Sequence, residues 1–193
     1  MNNLSKNSVP VISVYDIPRW YAAYTRSRHE KKVLENLQNI NIEAYVPLIK
    51  EYHQWSDRKK LVEVPLIRSY VFVRIPAKNA LYVLETYGIV RFVMFQRELA
   101  AIPDFQIDAL KSTVDCGLKL ESQKYLKTGQ MVEVTDGPLK GIIGKIQRVE
   151  NDHRFVISLD VIQASYIVRV DPALLKPVSD DKKKTRISLP LGM

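Results

Sequence analysis

Gly129-Gln130-Met131-Val132-Glu133-Val134-Thr135-Asp136-Gly137-Pro138-Leu139-Lys140-Gly141-Ile142-Ile143-Gly144-Lys145-Ile146 reads as strand, tight turn, strand. Met131, Val132 and Val134 suit a pleated surface, and Ile142, Ile143 and Ile146 resume the apolar run. Asp136-Gly137-Pro138 is turn chemistry: the carboxylate can accept backbone N–H groups, and glycine tolerates positive φ. Gly141 and Gly144 carry no Cβ, so the backbone can bulge or be approached closely there. A lone Asp-Gly means an ordinary hairpin. Gly129, Gly137, Gly141 and Gly144 at these offsets, after Gly-Gln-Met-Val, make the pattern more specific.

The rest of the composition sets limits. A chain of 193 residues can bury a real core in one or two domains. It has no apolar run of about 18 residues with which to cross a bilayer, and no basic start followed by an apolar core and cleavage site. The cytoplasm is therefore the expected compartment. Cys116 is the only cysteine, which excludes an internal disulfide and a cysteine metal cluster. A net charge of +8 favours an anionic partner, nucleic acid first, although a merely basic soluble protein fits the composition equally well.

Residues 1–18 are polar and read as a disordered leader. Trp20 to Tyr24 reads as a strand. Ser27 with Glu30 predicts a capping box opening a helix, whose apolar face is Val33, Leu34, Leu37 and Ile40. Arg26, Arg28, His29, Lys31 and Lys32 crowd its start, where cations oppose the helix dipole. That placement points to a polyanion; a solvated charged face is the rival explanation. A strand at 42–46 follows, then a hairpin over 49–55 and 60–65 with a basic tip at Ser56-Asp57-Arg58-Lys59. Leu66 to Ile75 is the strongest strand. Tyr70 and Phe72 fall on one face and Val71, Val73 and Ile75 on the other, so both faces need cover or a partner. Asn79 to Tyr87 reads as a helix stopped by Gly88, Ile89 to Phe95 as a strand, and Ala101-Ile102 as a short extended piece. A last helix starts at Pro103-Asp104, with Phe105, Ile107, Leu110 and Val114 inward. The order β-α-β-β-β-α-β-α predicts an α+β domain with an antiparallel sheet at 19–115. A polar, lysine-rich linker at 116–126 joins it flexibly to a small all-β barrel at 127–178, with strands at 130–135, 142–149, 154–159 and 162–170. Residues 179–193 read as a disordered tail, charged over 179–186 and apolar over Ile187 to Met193.

The glycine-rich hairpin resembles the KOW motif. The N-terminal order, with Trp20-Tyr21, Pro65-Leu66-Ile67-Arg68-Ser69-Tyr70-Val71-Phe72-Val73, Gly88-Ile89-Val90 and Ala101-Ile102-Pro103, resembles the NGN domain of the NusG family of transcription factors. The two in this order cover about 19–178, and the barrel would be SH3-like. Where the general factor has Pro-Gly before the tyrosine this chain has Arg68-Ser69, and Leu139-Lys140-Gly141 replaces an aromatic-containing turn. Both departures, with the leader and tail, look like specialised members, most like the UpxY-type antiterminators of capsular polysaccharide operons.

The resemblance implies binding rather than catalysis, with no cofactor and no metal. An apolar depression receives the clamp helices of the largest RNA polymerase subunit; the matching residues are Tyr24, Ile67, Tyr70, Phe72 and Phe95. For Phe72 and Phe95, plain core is an equal alternative. Asn79, Ala80, Leu81 and Tyr82 match the loop that faces the opposite polymerase lobe. Arg26, Arg28, His29, Lys31 and Lys32 would touch non-template DNA or nascent RNA. The barrel would recruit ribosomal protein S10, the family's usual partner, or Rho, and the departures from the general pattern bear against Rho. The expected state is a monomer. Two other readings stay open: a general NusG-like elongation factor, and a KOW-bearing ribosome or RNA-binding protein. His29, His53 and His153 are far apart, and Cys116 has no adjacent activating residue, so the sequence assembles no enzyme site.

Overall fold

The computed structural model describes residues 13–55, 58–123, 129–149 and 152–178. The leader up to residue 12, Ser56 and Asp57 of the hairpin tip, residues 124–128 at the end of the linker, residues 150–151 and the tail at 179–193 lie outside the described residues. In chain order the elements are β1 (Arg19–Thr25), α1 (Glu30–Asn39), β2 (Glu43–Tyr45), β3 (Leu48–Gln54), β4 (Lys59–Pro65), β5 (Tyr70–Ile75), α2 (Ala80–Leu84), β6 (Ile89–Phe92), β7 (Met94–Phe95), β8 (Glu98–Leu99), β9 (Ala101–Ile102) and α3 (Asp104–Asp115). A second set follows: β10 (Glu121–Gln123), β11 (Gln130–Val134), β12 (Ile143–Val149), β13 (Asp152–Leu159), β14 (Ala164–Val168) and β15 (Leu175–Pro177).

The first sheet runs β2-β5-β1-β6, with β9 also pairing β1, and every pairing is antiparallel. Alternation sorts its side chains onto two faces. Tyr21, Ala23, Val71, Val73 and Ile75 meet Val33 and Leu37 of α1 and Val83 of α2. Trp20, Ala22 and Phe72 meet Ile107 and Leu110 of α3, together with Leu159 and Tyr166 from the second set of strands. The two-faced strand is thus central and covered on both sides. Tyr166, buried here, and half-buried Tyr45 have their hydroxyl pKa pushed up by loss of solvent, that of Tyr166 to about 12.

The second sheet has the order β10-β14-β13-β12-β11-β15. The chain expected to act as a linker therefore supplies a strand, Glu121–Gln123, paired with β14. The two sheets do not hang apart on a tether: α3 lies between them. Its Ile107 and Leu110 face the first sheet, while Ala109 belongs to the apolar core of the second with Val132, Phe155 and Ile157. Gln106 and Thr113 are also buried, whereas Phe105 and Val114, expected inward, are half-buried.

Local starts and stops differ from expectation in instructive ways. The helix α1 begins at Glu30 with His29 at its N-cap, and no side chain caps it. Glu30 is buried, and its carboxylate accepts the Ser69 N–H at 2.6 Å, so it ties down the turn before β5 instead of closing a capping box. Ser69 sits at φ 62°, so that turn breaks the strand expected from Leu66, and β5 starts at Tyr70. Residues 13–18, read as leader, include a short 3-10 turn at Val14–Asp16. Lys78 pairs with Asp16 at 2.6 Å and holds its carboxyl below the usual range.

The glycine-rich turn is closed by the backbone: Gly141 N–H donates to Val134 C=O at 2.7 Å and Lys140 N–H to Gly137 C=O at 3.1 Å. The carboxylate of Asp136 makes no hydrogen bond among the described residues, contrary to expectation. Gly137 and Gly141 hold φ of 81° and 83°, which glycine adopts without strain. At Gly144 the demand is for space. A Cβ there would lie 2.6 Å from the Phe155 ring and 2.9 Å from the Val156 carbonyl oxygen. Gly144→Ala is expected to cost about 1–3 kcal/mol of stability, because the ring and strand must shift to admit the methyl group. Chemical denaturation checks this; an unchanged midpoint would mean that β12 and β13 yield freely.

Candidate functional site: an aromatic and basic edge

Register assembles the site. Tyr24 of β1 stands opposite Tyr70 of β5 and opposite Arg91 of β6. The two tyrosine rings meet edge to face at 5.4 Å, and the Arg91 guanidinium lies over the Tyr24 ring at 5.7 Å. Tyr24 is at the surface and Tyr70 half-buried at the margin of the core. Ile67 and Phe72, expected beside them, are buried in the cluster shared by the sheet, α3 and the second set of strands, and Phe72 stacks on Tyr45 at 6.5 Å. Phe95 is exposed on the small β7–β8 hairpin, outside that cluster. Asn79 precedes α2, and Leu81 and Tyr82 on its outer side are exposed.

The basic residues follow directly on β1. Arg26 N–H donates to the Gly88 carbonyl at 2.8 Å, which brings the loop after α2 alongside. Tyr87, exposed on that loop, receives the Arg26 guanidinium at 5.2 Å from its ring centre and the His29 ring at 5.9 Å. Arg28 holds φ 62° in the loop, ahead of the helix rather than in its first turn. Lys31 and Lys32 are in the first turn and each has a carboxylate: Lys31 reaches Glu63 at 3.9 Å, and Lys32 reaches Glu35 at 2.9 Å. These pairs offset part of the dipole penalty, so the placement argument rests chiefly on Arg26 and Arg28. Sequence reasoning missed Tyr87 and Arg91. Each was read only as a helix or strand position, and the pairings that make them site residues are contacts between distant segments.

What this edge offers is contact chemistry: aromatic rings for stacking or apolar burial, flanked by guanidinium and ammonium groups for phosphates. The N-terminal half is thus an α+β domain with an exposed aromatic and basic edge. Residues 18–111 match the family model described as transcription termination factor NusG. Over those residues the chain carries a NusG-family domain. It is 20% identical over 159 residues to the transcription termination/antitermination protein NusG of Rickettsia conorii, covering 76% of this chain and 83% of that one. Its counterpart in Rickettsia felis is 19% identical over 174 residues, 83% of this chain and 91% of the relative. Among solved structures, one described as domain interaction in Thermotoga maritima NusG aligns with TM-score 0.44 and 18% identity over 86% of this chain and 99% of that chain. A MjSpt4:Spt5 complex structure aligns with TM-score 0.25 and 14% identity over 83% and 98%.

Proposed function

We propose that this chain is a specialised antitermination factor that docks on elongating RNA polymerase through its N-terminal domain, at 19–115, and suppresses pausing or termination without catalysis. The observation that carries this reading is the Tyr24–Tyr70 pair, placed at the rim of a NusG-family domain where its rings remain available. Aromatic anchors beside a buried apolar floor suit a helix-in-groove contact, here the polymerase clamp helices. Ile67 and Phe72 form that floor, Leu81 and Tyr82 would face the opposite lobe, and the second sheet would act as the KOW module that recruits ribosomal protein S10 or Rho. Tyr70→Ala is expected to reduce co-purification of polymerase about tenfold while the thermal melt shifts little, since the ring is only half-buried. Wild-type capture by Tyr70→Ala and Tyr24→Ala would place docking elsewhere.

The same reading assigns Arg26, Arg28, His29, Lys31 and Lys32, with Tyr87, to the exposed non-template DNA strand. Arg26→Ala/Arg28→Ala should flatten the slope of log affinity against log salt by roughly 1.4 for a single strand. It should also weaken crosslinking of that strand in the paused complex. Unchanged crosslinking with intact polymerase binding would make the cluster a solvated face. A general NusG-like elongation factor is the second reading, favoured by the names of the curated relatives. Sequencing nascent transcripts with and without the protein separates them: effects confined to one operon support the specialised factor, and effects across the transcriptome the general one.

A further inference from the structure

The hairpin of β3 and β4 stands apart as a two-stranded sheet of its own. A lone ribbon is supported chiefly by its cross-strand pairs, here Tyr52 with Leu61. That pair leaves its large side chains open: Tyr52 is 75% exposed, Trp55 57% and Leu61 47%, and none of the three belongs to a core cluster. The register puts Tyr52 opposite Leu61 and Gln54 opposite Lys59 on one face. Tyr52, Gln54 and Lys59 line an open hollow of about 390 Å³ on that face. At the tip the Trp55 backbone N–H donates to the Arg58 carbonyl at 2.8 Å, which brings these two residues together at that end of the ribbon.

The charges divide in a telling way. Of the ribbon's described acids, Glu63 reaches Lys31 at 3.9 Å, and Glu51 lies 3.7 Å from the His53 ring. Lys50, Arg58, Lys59 and Lys60 have no ion pair among the described residues. Exposed rings interleaved with uncommitted cations are the chemistry that binds single strands, bases on the rings and phosphates on the cations. Phosphate contact alone would leave the rings unexplained, and a protein helix would meet an apolar row broken by lysines. We propose that the β3–β4 ribbon is a second nucleic-acid contact, a stacking arm for single-stranded DNA built on Tyr52 and Trp55. DNA rather than RNA follows from the Lys31–Glu63 pair, which joins the ribbon to the first turn of α1. A DNA strand leaving the Arg26–Lys32 cluster meets the ribbon next, so this choice alone rests on the reading of that cluster given above.

The test uses the full chain and its own fluorescence. Of the two tryptophans, Trp20 is 3% exposed, so quenching on titration reports Trp55. Oligothymidylate of 12 nucleotides is expected to quench the emission. Trp55→Ala and Tyr52→Ala, with binding followed by anisotropy of a labelled strand, should each weaken affinity about tenfold with unchanged melting. Lys59→Gln/Lys60→Gln should reduce the salt slope by roughly 1.4. Absence of quenching, wild-type affinity in both aromatic variants, or equal quenching by a 12-base-pair duplex would overturn the proposal, and tighter binding of oligouridylate would overturn the choice of DNA. If Arg26→Ala/Arg28→Ala loses binding and Trp55→Ala does not, the ribbon inference fails while the cluster reading stands. The reverse result removes the cluster reading and leaves the ribbon in place.

Discussion

Phe72→Ala is expected to lose about 3–5 kcal/mol of stability, a third or more of what a typical domain has to spare. The ring is fully buried and stacks on Tyr45, and its neighbours come from three directions: Trp20 and Ala22 on the sheet, Ile107 and Leu110 on α3, and Leu159 and Tyr166 beyond. Truncation leaves a cavity that none of these can fill without moving the others. The loss should therefore appear as one transition, seen alike by circular dichroism and by the emission of buried Trp20. Ile67→Asp should behave similarly, because it takes a carboxylate out of water into that apolar cluster. Polymerase binding measured in either variant reports unfolding, which makes Tyr70→Ala the informative docking variant. A loss below about 1 kcal/mol for Phe72→Ala would show instead that the ring leaves the cluster easily and is free to meet a partner.

How much of this was legible follows from what periodicity encodes. The even and odd residues of β5 were sorted onto the correct faces, because a strand's period of two does not depend on its neighbours. The apolar stripe of α1 was read correctly in Val33 and Leu37 for the same kind of reason. What covers a face is another matter. A second buried stripe on α3 is made of Gln106, Ala109 and Thr113, residues that look like solvent-side choices until a second sheet arrives. Glu30 misled in the same fashion: its offset from Ser27 fits a capping box, but its acceptor is spent on Ser69, thirty-nine residues away. At the candidate site the aromatic and basic residues adjacent in sequence were legible, and Tyr87 and Arg91 were not, since strand pairing and the Arg26–Gly88 hydrogen bond bring them in. The glycine pattern did announce its purpose. Gly144 is small because Phe155 needs the space.

Gln106→Glu is expected to open the contact between α3 and the second sheet, at a cost of about 3 kcal/mol at neutral pH. Gln106 is buried at that contact. Its Nε2 donates to Asp160 Oδ2 at 2.9 Å, and its Oε1 accepts the Asp160 N–H at 3.3 Å. Asp160 is already matched by Lys145, whose ammonium lies 2.9 Å from Oδ1. The substitution removes the donor and sets a second carboxylate against the first. Burial and like charge raise the new carboxyl's pKa in the closed form above its free value of about 4.3. The sign follows: the closed form of the variant is near wild type below that value, where the group is protonated and can donate, and weakens as pH rises through the shifted pKa. Amide exchange should quicken in α3 and β13 at pH 7 and approach wild type near pH 4. Ile67 and Phe72 share their cluster with Leu159 and Tyr166, so opening should also uncover the floor assigned to polymerase and raise its capture several-fold. Unchanged exchange at pH 7 would mean that apolar packing alone holds the two sheets together. Faster exchange with no gain in capture would mean that the second sheet does not stand between this domain and its partner.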